Sequence, residues 1–506
     1  MQVFLMHKDR DFDLNILPEN AEELVTDLGM EGLIGVMSSG DKFIATVVKT
    51  ALLQNLTSVD TIKYRQDILL DFLDKPGILK SIYLLATNAL EEERKNWFFL
   101  ITSPSPDLLL YRSVAIIEMF SRYLRDLRDL LVANDPNFKS EGLKGLVSRL
   151  VNKLTDNYFE MLREKLRELK FEDGMLFSVR LGEALKGTDY TLRKQINRKK
   201  NWRFLRRSKD EFSFEIADRD EAGADALAQL RERAVNDVAN LLAQSAETLH
   251  NFFTSLKAET GFYIGCLNLV DYMKEKNLQY CFPSPLKGGF WLSASSLYDI
   301  SLAINGNRQI VPNDIQADGK RMIVITGANE GGKSTFLKSI GMAFIMMQCG
   351  MVVCAKSFKA TICEGLFTHF RKKEDQNMQS GKLEEELIRL NKIVANLKPS
   401  SIILMNESLA STNEHEGSEI AMQVTEALVE GGVRVFFVTH LYDFAARVKS
   451  KLNGLVLFLK AERLEDGTRT FRIIEGEPLA TSFGRDLYKQ IFEDKAQEAF
   501  LENQVK

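Results

Sequence analysis

The sequence predicts a multidomain fold of α and α/β parts. A largely helical first part of about 290 residues, interrupted once, precedes an α/β part with a mostly parallel sheet. Three observations predict it. Through most of the first part, apolar residues recur at three- and four-residue spacing with charges between them, the buried stripe of amphipathic helices. After about Leu292 the text changes to short apolar runs alternating with helical stretches, the mark of a parallel sheet with crossover helices. The run Arg321–Thr326 then leads into Gly-Ala-Asn-Glu-Gly-Gly-Lys-Ser (Gly327–Ser334) and an apolar stretch: a strand, a glycine-rich turn and a helix.

Taken in order, Asp67–Leu73, Leu108–Leu131, Leu146–Leu169 and Ala224–Leu256 carry the helical spacing, and several are long enough for extended arms or a bundle. Between about Gly174 and Gly223 the helical text breaks. Met175–Leu181 and Phe212–Ile216 read there as short strands, punctuated by Gly182, Gly187 and Gly223. In the second part the strand candidates are Tyr298–Ile304, Met322–Thr326, Val352–Ala355, Ser401–Met405, Val433–Val438 and Leu455–Leu459.

A chain of 506 residues is expected to form more than one domain, and 45% apolar residues is ordinary for soluble globular proteins. A net charge of −4 excludes a wholly basic nucleic-acid coat but not a local basic patch. The cysteines (Cys266, Cys281, Cys349, Cys354, Cys363) contain no C-x-x-C pair, so reduced thiols in a cytoplasmic protein are expected, without disulfides or zinc. Lys8, Asp9 and Arg10 interrupt any signal-peptide pattern. The longest apolar run, Ile340–Ala355, is too short for a membrane span and reads as a buried helix running into a strand.

Gly327–Ser334 fits G-x-x-x-x-G-K-[ST], a phosphate-binding loop. Glycines let the loop curl and aim backbone N–H groups at one polyphosphate, and the following helix adds its N-terminal dipole. Lys333 can reach the β- and γ-phosphates, and the Ser334 hydroxyl can ligate Mg²⁺. A nucleoside triphosphate is the implied ligand. The buried run Ser400–Met405 ends in Asn406-Glu407, where ATPases of the ABC type usually carry Asp-Glu. The amide of Asn406 can accept a hydrogen bond from a metal-bound water but supplies no formal charge, so weak Mg²⁺ retention or slow hydrolysis is expected. Glu407 is the candidate base, with a simple strand cap as the alternative. Val433–Val438 delivers Thr439-His440 to the same sheet edge, where His440 is a candidate γ-phosphate sensor or else a structural histidine. Ser380-Gly381 ends a polar loop just before a helix, a second anion cradle that has no obvious ligand within one monomer.

The order of these pieces resembles the ATPase domain of the MutS DNA mismatch-repair family, a branch of the ABC-type ATPases. The matching text is Thr326–Lys338 (T-G-A-N-E-G-G-K-S-T-F-L-K), Ser380-Gly381, Ile402–Thr412 and Val438–His440. Val311–Asp314 resembles the segment preceding the family's loop, and Thr481–Gly484 the end of its ATPase domain. More weakly, Asp60–Asp67 and Phe252–Pro283 resemble the start and return of the family's helical core. The resemblance implies a nucleotide site of Gly327, Asn329, Gly331, Gly332, Lys333, Ser334 and Thr335, completed by Ser380 and Gly381 of a second copy. ATP and Mg²⁺ are the implied ligands, with Ser334 and Asn406 at the metal and Glu407 and His440 as catalytic groups. It also implies an N-terminal segment (1–40), a helical core and lever (41–290) with a clamp-like insertion (174–223), an ATPase domain (291–490) and a helical tail (491–506). The family's Phe-x-Glu mismatch wedge does not occur in the N-terminal half, so a short member without the mismatch-sensing domain is expected, and no Smr-type nuclease tail is expected.

The clamp region holds a basic tract from Arg193 to Lys209. Arg193, Lys194, Arg198, Lys199, Lys200, Arg203, Arg206 and Arg207, with Trp202 among them, are the candidate DNA contacts: cations neutralise phosphates and aromatic rings stack on exposed bases. The alternative is a solvated charged loop. Together these readings imply an ATP-dependent, homodimeric, cytoplasmic DNA-binding protein, its association with the nucleoid left open, that closes on distorted or branched duplex. The alternative is a nucleotide-switched, dimerising interaction protein with little hydrolysis. The fused long-helix half argues against a transporter subunit.

Overall fold

Four helices open the chain in the computed structural model: α1 (Ala21–Leu28), α2 (Glu31–Ser38), α3 (Lys42–Leu53) and α4 (Val59–Asp74). Then come α5 (Pro76–Trp97), α6 (Pro106–Asn134), α7 (Glu141–Lys153) and α8 (Asp156–Glu168), an antiparallel hairpin of β1 (Leu176–Leu181) and β2 (Gly187–Arg193), and α9 (Glu221–Glu275), a helix of 55 residues. The structure describes residues 1–97, 105–135, 138–172, 174–194, 213–306, 310–372, 381–452, 454–464 and 468–478. The chain divides into two units, one of Met1–Phe4 with Gly77–Lys257, the other of Leu5–Pro76 with Ala258–Lys506.

In the first unit the helices start where the sequence offers caps. The side chains of Ser105, Ser140 and Thr155 accept from Leu108, Leu143 and Tyr158 N–H at the heads of α6, α7 and α8, satisfying donors the helix leaves orphaned. Apolar stripes then pack together: Phe120 of α6 stacks on Phe253 of α9 with ring centroids 5.0 Å apart. His250 of α9 bonds Glu93 of α5 at 2.6 Å.

The second unit holds two sheets. Its remaining elements are β3 (Ser284–Leu286), β4 (Leu292–Leu297), α10 (Ile300–Asn305), β5 (Asn313–Gln316), β6 (Met322–Thr326), α11 (Lys333–Cys349), β7 (Ser357–Thr361), β8 (Leu366–Phe370), α12 (Lys382–Asn396), β9 (Ile402–Asn406), α13 (Glu414–Glu430), β10 (Arg434–Val438), α14 (Tyr442–Lys451), β11 (Val456–Arg463) and β12 (Arg469–Glu475). The larger sheet has the order β12-β11-β6-β10-β9-β8; β11 through β8 run parallel and β12 is an antiparallel edge. The smaller sheet, β3-β7-β4-β5, is mixed. Arg434 of β10 ties the two together, its guanidinium donating to the carbonyls of Phe290, Trp291 and Ala317.

Side chains alternate across the large sheet, as strand geometry requires. Val324, Met405, Val435 and Phe437 pack with Leu390, Met422, Phe444 and Val448 of α12, α13 and α14. On the other face lies α11, so close that a Cβ on Gly341 would stand 2.6 Å from Leu404 of β9 and 2.9 Å from Leu28 of α1. Arg65 of α4, wholly buried, closes the far end of α11 by donating to the Cys349 carbonyl (3.1 Å) and to the Met6 carbonyl (2.8 Å). Buried Glu259 accepts the N–H groups of Leu5, Met6 and Phe12. Burial, with Asp11 adding to it, pushes its carboxyl up to about 8 against those hydrogen bonds.

The structure corrects several sequence expectations. Tyr298–Ile304 is not a strand: the Asp299 side chain accepts from Ser301 N–H and starts the helix α10. Val352–Ala355 contributes only one bridge, Val353 to Cys281; α11 ends at Gly350, in the left-handed region, and the strand forms later as β7. Residues 213–216 form no strand, and Phe212 lies outside the described residues. Leu146–Leu169 is two helices, because the chain turns at Leu154 and Thr155 caps a new one. The cysteines are free. Among the described residues no helix is long and apolar enough to cross a membrane, and no group of three or more His, Cys, Asp or Glu could hold a metal.

Candidate nucleotide site

The site lies where the parallel strands end. β6 is buried along its whole length and stops at Thr326, so the loop Gly327–Gly332 leaves the sheet at its carboxyl edge. There it meets the ends of β9 and β10, where Asn406 is in register with Val438. The loop curls through glycines in the left-handed region, Gly327 at φ 115° and Gly332 at φ 89°. At Gly331 a Cβ would come within 2.7 Å of Ala461 Cβ and 3.0 Å of the Ala328 carbonyl, so only glycine fits.

Lys333 heads α11 and turns its buried ammonium back into the loop, donating to the carbonyls of Gly327 (2.9 Å) and Ala328 (2.8 Å). Burial drags it down to about 8; Arg469 pushes the same way and Glu407 opposes. Next to it, Ser334 Oγ donates to Asn406 Oδ1 at 2.9 Å. Asn329, Lys333, Ser334, Thr335, Glu407 and Arg469 line one cavity of about 700 Å³.

Glu407, itself at φ 53°, follows Asn406 and donates its N–H to the Val438 carbonyl. Its carboxylate meets His440 Nε2 at 3.3 Å and Arg371 more distantly at 3.9 Å. The His440 hydrogen bond holds the Glu407 carboxyl below the usual carboxylate range, half-burial opposing it and Lys333 and Arg371 adding to it. Glu407 is therefore ionised at neutral pH and acceptor-only, suited to orient a water. Ser408 Oγ donates to the His369 carbonyl of β8 (2.6 Å) and fixes the turn that carries this carboxylate.

Two oxygen donors, Ser334 Oγ and Asn406 Oδ1, within hydrogen-bond distance of each other match the oxygen preference of Mg²⁺, which takes few protein ligands and fills its octahedron with water and phosphate. Gly381 caps α12 with open space around it, and Ser380 lies outside the described residues. Lys382, which follows Gly381, lines a second cavity of about 560 Å³ with Arg371, Arg389, Ser334, Asn406 and Glu407. Of the basic tract, Arg193 donates to Ser178 across the hairpin and Lys194 pairs with Glu168. Arg198, Lys199, Lys200, Trp202, Arg203, Arg206 and Arg207 lie outside the described residues. Sequence reasoning named neither Arg371 nor Arg469, and no motif spacing marks them: Arg371 follows β8 and donates its N–H to the Asn406 carbonyl, and Arg469 starts β12, whose Phe471 lies against Gly332.

Two sequence families match the chain: the MutS2 N-terminal domain over residues 57–276 and MutS domain V over residues 323–492. The chain belongs to the MutS family. The MutS-type match of the second region begins on β6 and takes in the loop, Asn406, Glu407 and His440. Among curated relatives, the DNA mismatch repair protein MutS of Syntrophomonas wolfei is 31% identical over 151 residues, 29% of this chain and 18% of that protein. The DNA mismatch repair proteins MutS and HexA of Streptococcus pneumoniae strains are 29% identical over 184 residues, 36% of this chain and 22% of theirs. The chain thus spans about a fifth of the length of the MutS relatives it matches.

Proposed function

We propose that this chain is an ATP-dependent DNA-binding protein of the MutS type, an ATPase that works as a homodimer. The observation that carries the reading is the meeting, at one sheet edge, of Lys333, the Ser334–Asn406 pair and the Glu407–His440 pair. Lys333 and the loop N–H groups bind the triphosphate, and Glu407, held by His440, orients the attacking water. Ser334 and Asn406 would hold Mg²⁺, which when bound neutralises charge on the phosphates. The domain reading follows the same logic: residues 291–490 form the ATPase domain, 41–290 the core and lever with 174–223 as a clamp, 1–40 a leading segment and 491–506 a tail. Ser380-Gly381 of one copy caps the nucleotide of the other, and Arg193–Arg207 contacts distorted or branched duplex without sequence preference. MutS-type names among the relatives support the DNA and repair parts of this reading.

The test is a binding panel of homoduplex, mismatched duplex, four-way junction and single-stranded DNA, each with and without ATP. ATP-dependent binding, strongest on the junction and lost on reversing Arg203, Arg206 and Arg207 to Glu, is the expected result. Absence of DNA binding at low salt would refute it. A second reading is favoured by one observation, the neutral Asn406 at the metal position: a nucleotide-switched, dimerising interaction protein with little hydrolysis. Retained ATP binding without DNA binding would select it.

A further inference from the structure

We propose that Arg469 is a ligand of the nucleotide's phosphates and that Glu330 is the counter-ion it leaves when nucleotide binds. The proposal rests on the nucleotide-binding reading and adds to it a residue that the phosphate-loop pattern does not contain. Glu330 is a carboxylate in the middle of a loop shaped to hold an anion, where alone it would repel phosphate. It also stands at φ 58°, a conformation an L-residue adopts at a cost. Arg469 NH1 meets its Oε2 at 2.5 Å.

The strand that brings Arg469 there is anchored on the loop. Arg469 and Phe471 of β12 both line the cavity that Asn329, Lys333 and Ser334 line. A Cβ on Gly332 would lie 3.4 Å from the Phe471 carbonyl, so β12 lies directly against the loop. Asn313 pins the strand as well: it donates to the Phe471 carbonyl (3.4 Å) and accepts from Ile473 N–H (2.6 Å). The Arg469 side chain is 27% exposed and that of Glu330 74%, so the carboxylate can swing into water while the guanidinium stays at the cavity wall. Lys333 and Arg469 are two cations facing one cavity, and Lys333 feels the other as a push toward its neutral form. Glu330, paired with Arg469, relieves that repulsion. A polyphosphate relieves it more completely, because guanidinium offers phosphate oxygens a two-pronged donor set. Binding is then an exchange of ion-pair partners with no bond made or broken. Arg469 raises affinity and Glu330 lowers it.

The test is titration of the full chain with a fluorescent ATP analogue and competition by ATP, for the parent and for R469A, R469K, E330A and E330A/R469A, with K333A as control. R469A is expected to weaken ATP binding about tenfold, with partial recovery in R469K. E330A is expected to tighten it about threefold at low salt, with the gain shrinking as salt rises. The double variant should fall between the two single ones. A loss of less than about threefold in R469A, or weaker binding in E330A, overturns the proposal. If R469A fails to fold, the sign of the E330A change decides. Should K333A abolish binding while R469A leaves it intact, this proposal alone falls. Should the parent bind no ATP, the nucleotide reading falls with it.

Discussion

Lys333 gives the site a pH dependence with a definite sign. Burial holds its ammonium at about 8, and a phosphate partner must raise it. Affinity for ATP is therefore full below about 8 and lost as pH rises through that value, a trend that titrations between about pH 7 and 9.5 would show. Flat affinity across that range would mean that Lys333 does not meet phosphate. Asn406 makes the second residue-scale prediction. Restoring the charge with Asn406→Asp should raise ATP turnover about tenfold and lower the Mg²⁺ concentration it needs, measured by steady-state hydrolysis against metal titration. Lys333, Ser334, Asn406, Glu407 and His440 stand out in the sequence as candidates because the loop and two short polar steps follow buried runs, and the structure brings them to one sheet edge. Arg469 does not stand out, since it lies 139 residues from Glu330 and nothing local marks it.

The elements that could be read from sequence are those with strong local signals. β6, β9, β10 and β11 are apolar runs buried between helices, and their positions match the sequence reading. The helices α6 and α9 carry long apolar stripes, with Ser105-Pro106 marking the start of α6. Edge and mixed-sheet strands were missed: β4 (Leu-Ser-Ala-Ser-Ser-Leu) and β5 (Asn-Asp-Ile-Gln) are short and half polar, and their partners are distant in sequence. Tyr298–Ile304 reads as a strand because its apolar residues suit either state, and the Asp299 cap decides for the helix Ile300–Asn305. Gly350 ends α11 at φ 83°, where a Cβ would lie 2.6 Å from Arg65 Cβ. Gly350→Ala should destabilise the protein by about 2 kcal/mol in urea unfolding while leaving ATP affinity unchanged, since the residue is at the opposite end of α11 from Lys333. No change in unfolding midpoint would show that this helix end has room.

At the scale of the whole molecule, the change from helical to α/β text near Leu292 reflects a real difference in architecture. All five parallel strands of the large sheet follow it, and the three longest described helices, α5, α6 and α9, precede it. The two family matches fall on either side of that change. What a sequence pattern cannot supply is the use made of ATP, because that depends on how nucleotide occupancy alters DNA binding. Steady-state ATP turnover by the full chain, with and without a four-way DNA junction and with Glu407→Gln as control, tests the account most directly. The account predicts that DNA raises the rate and that Glu407→Gln removes it while ATP still binds. A rate unmoved by DNA and unmoved by Glu407→Gln would contradict it.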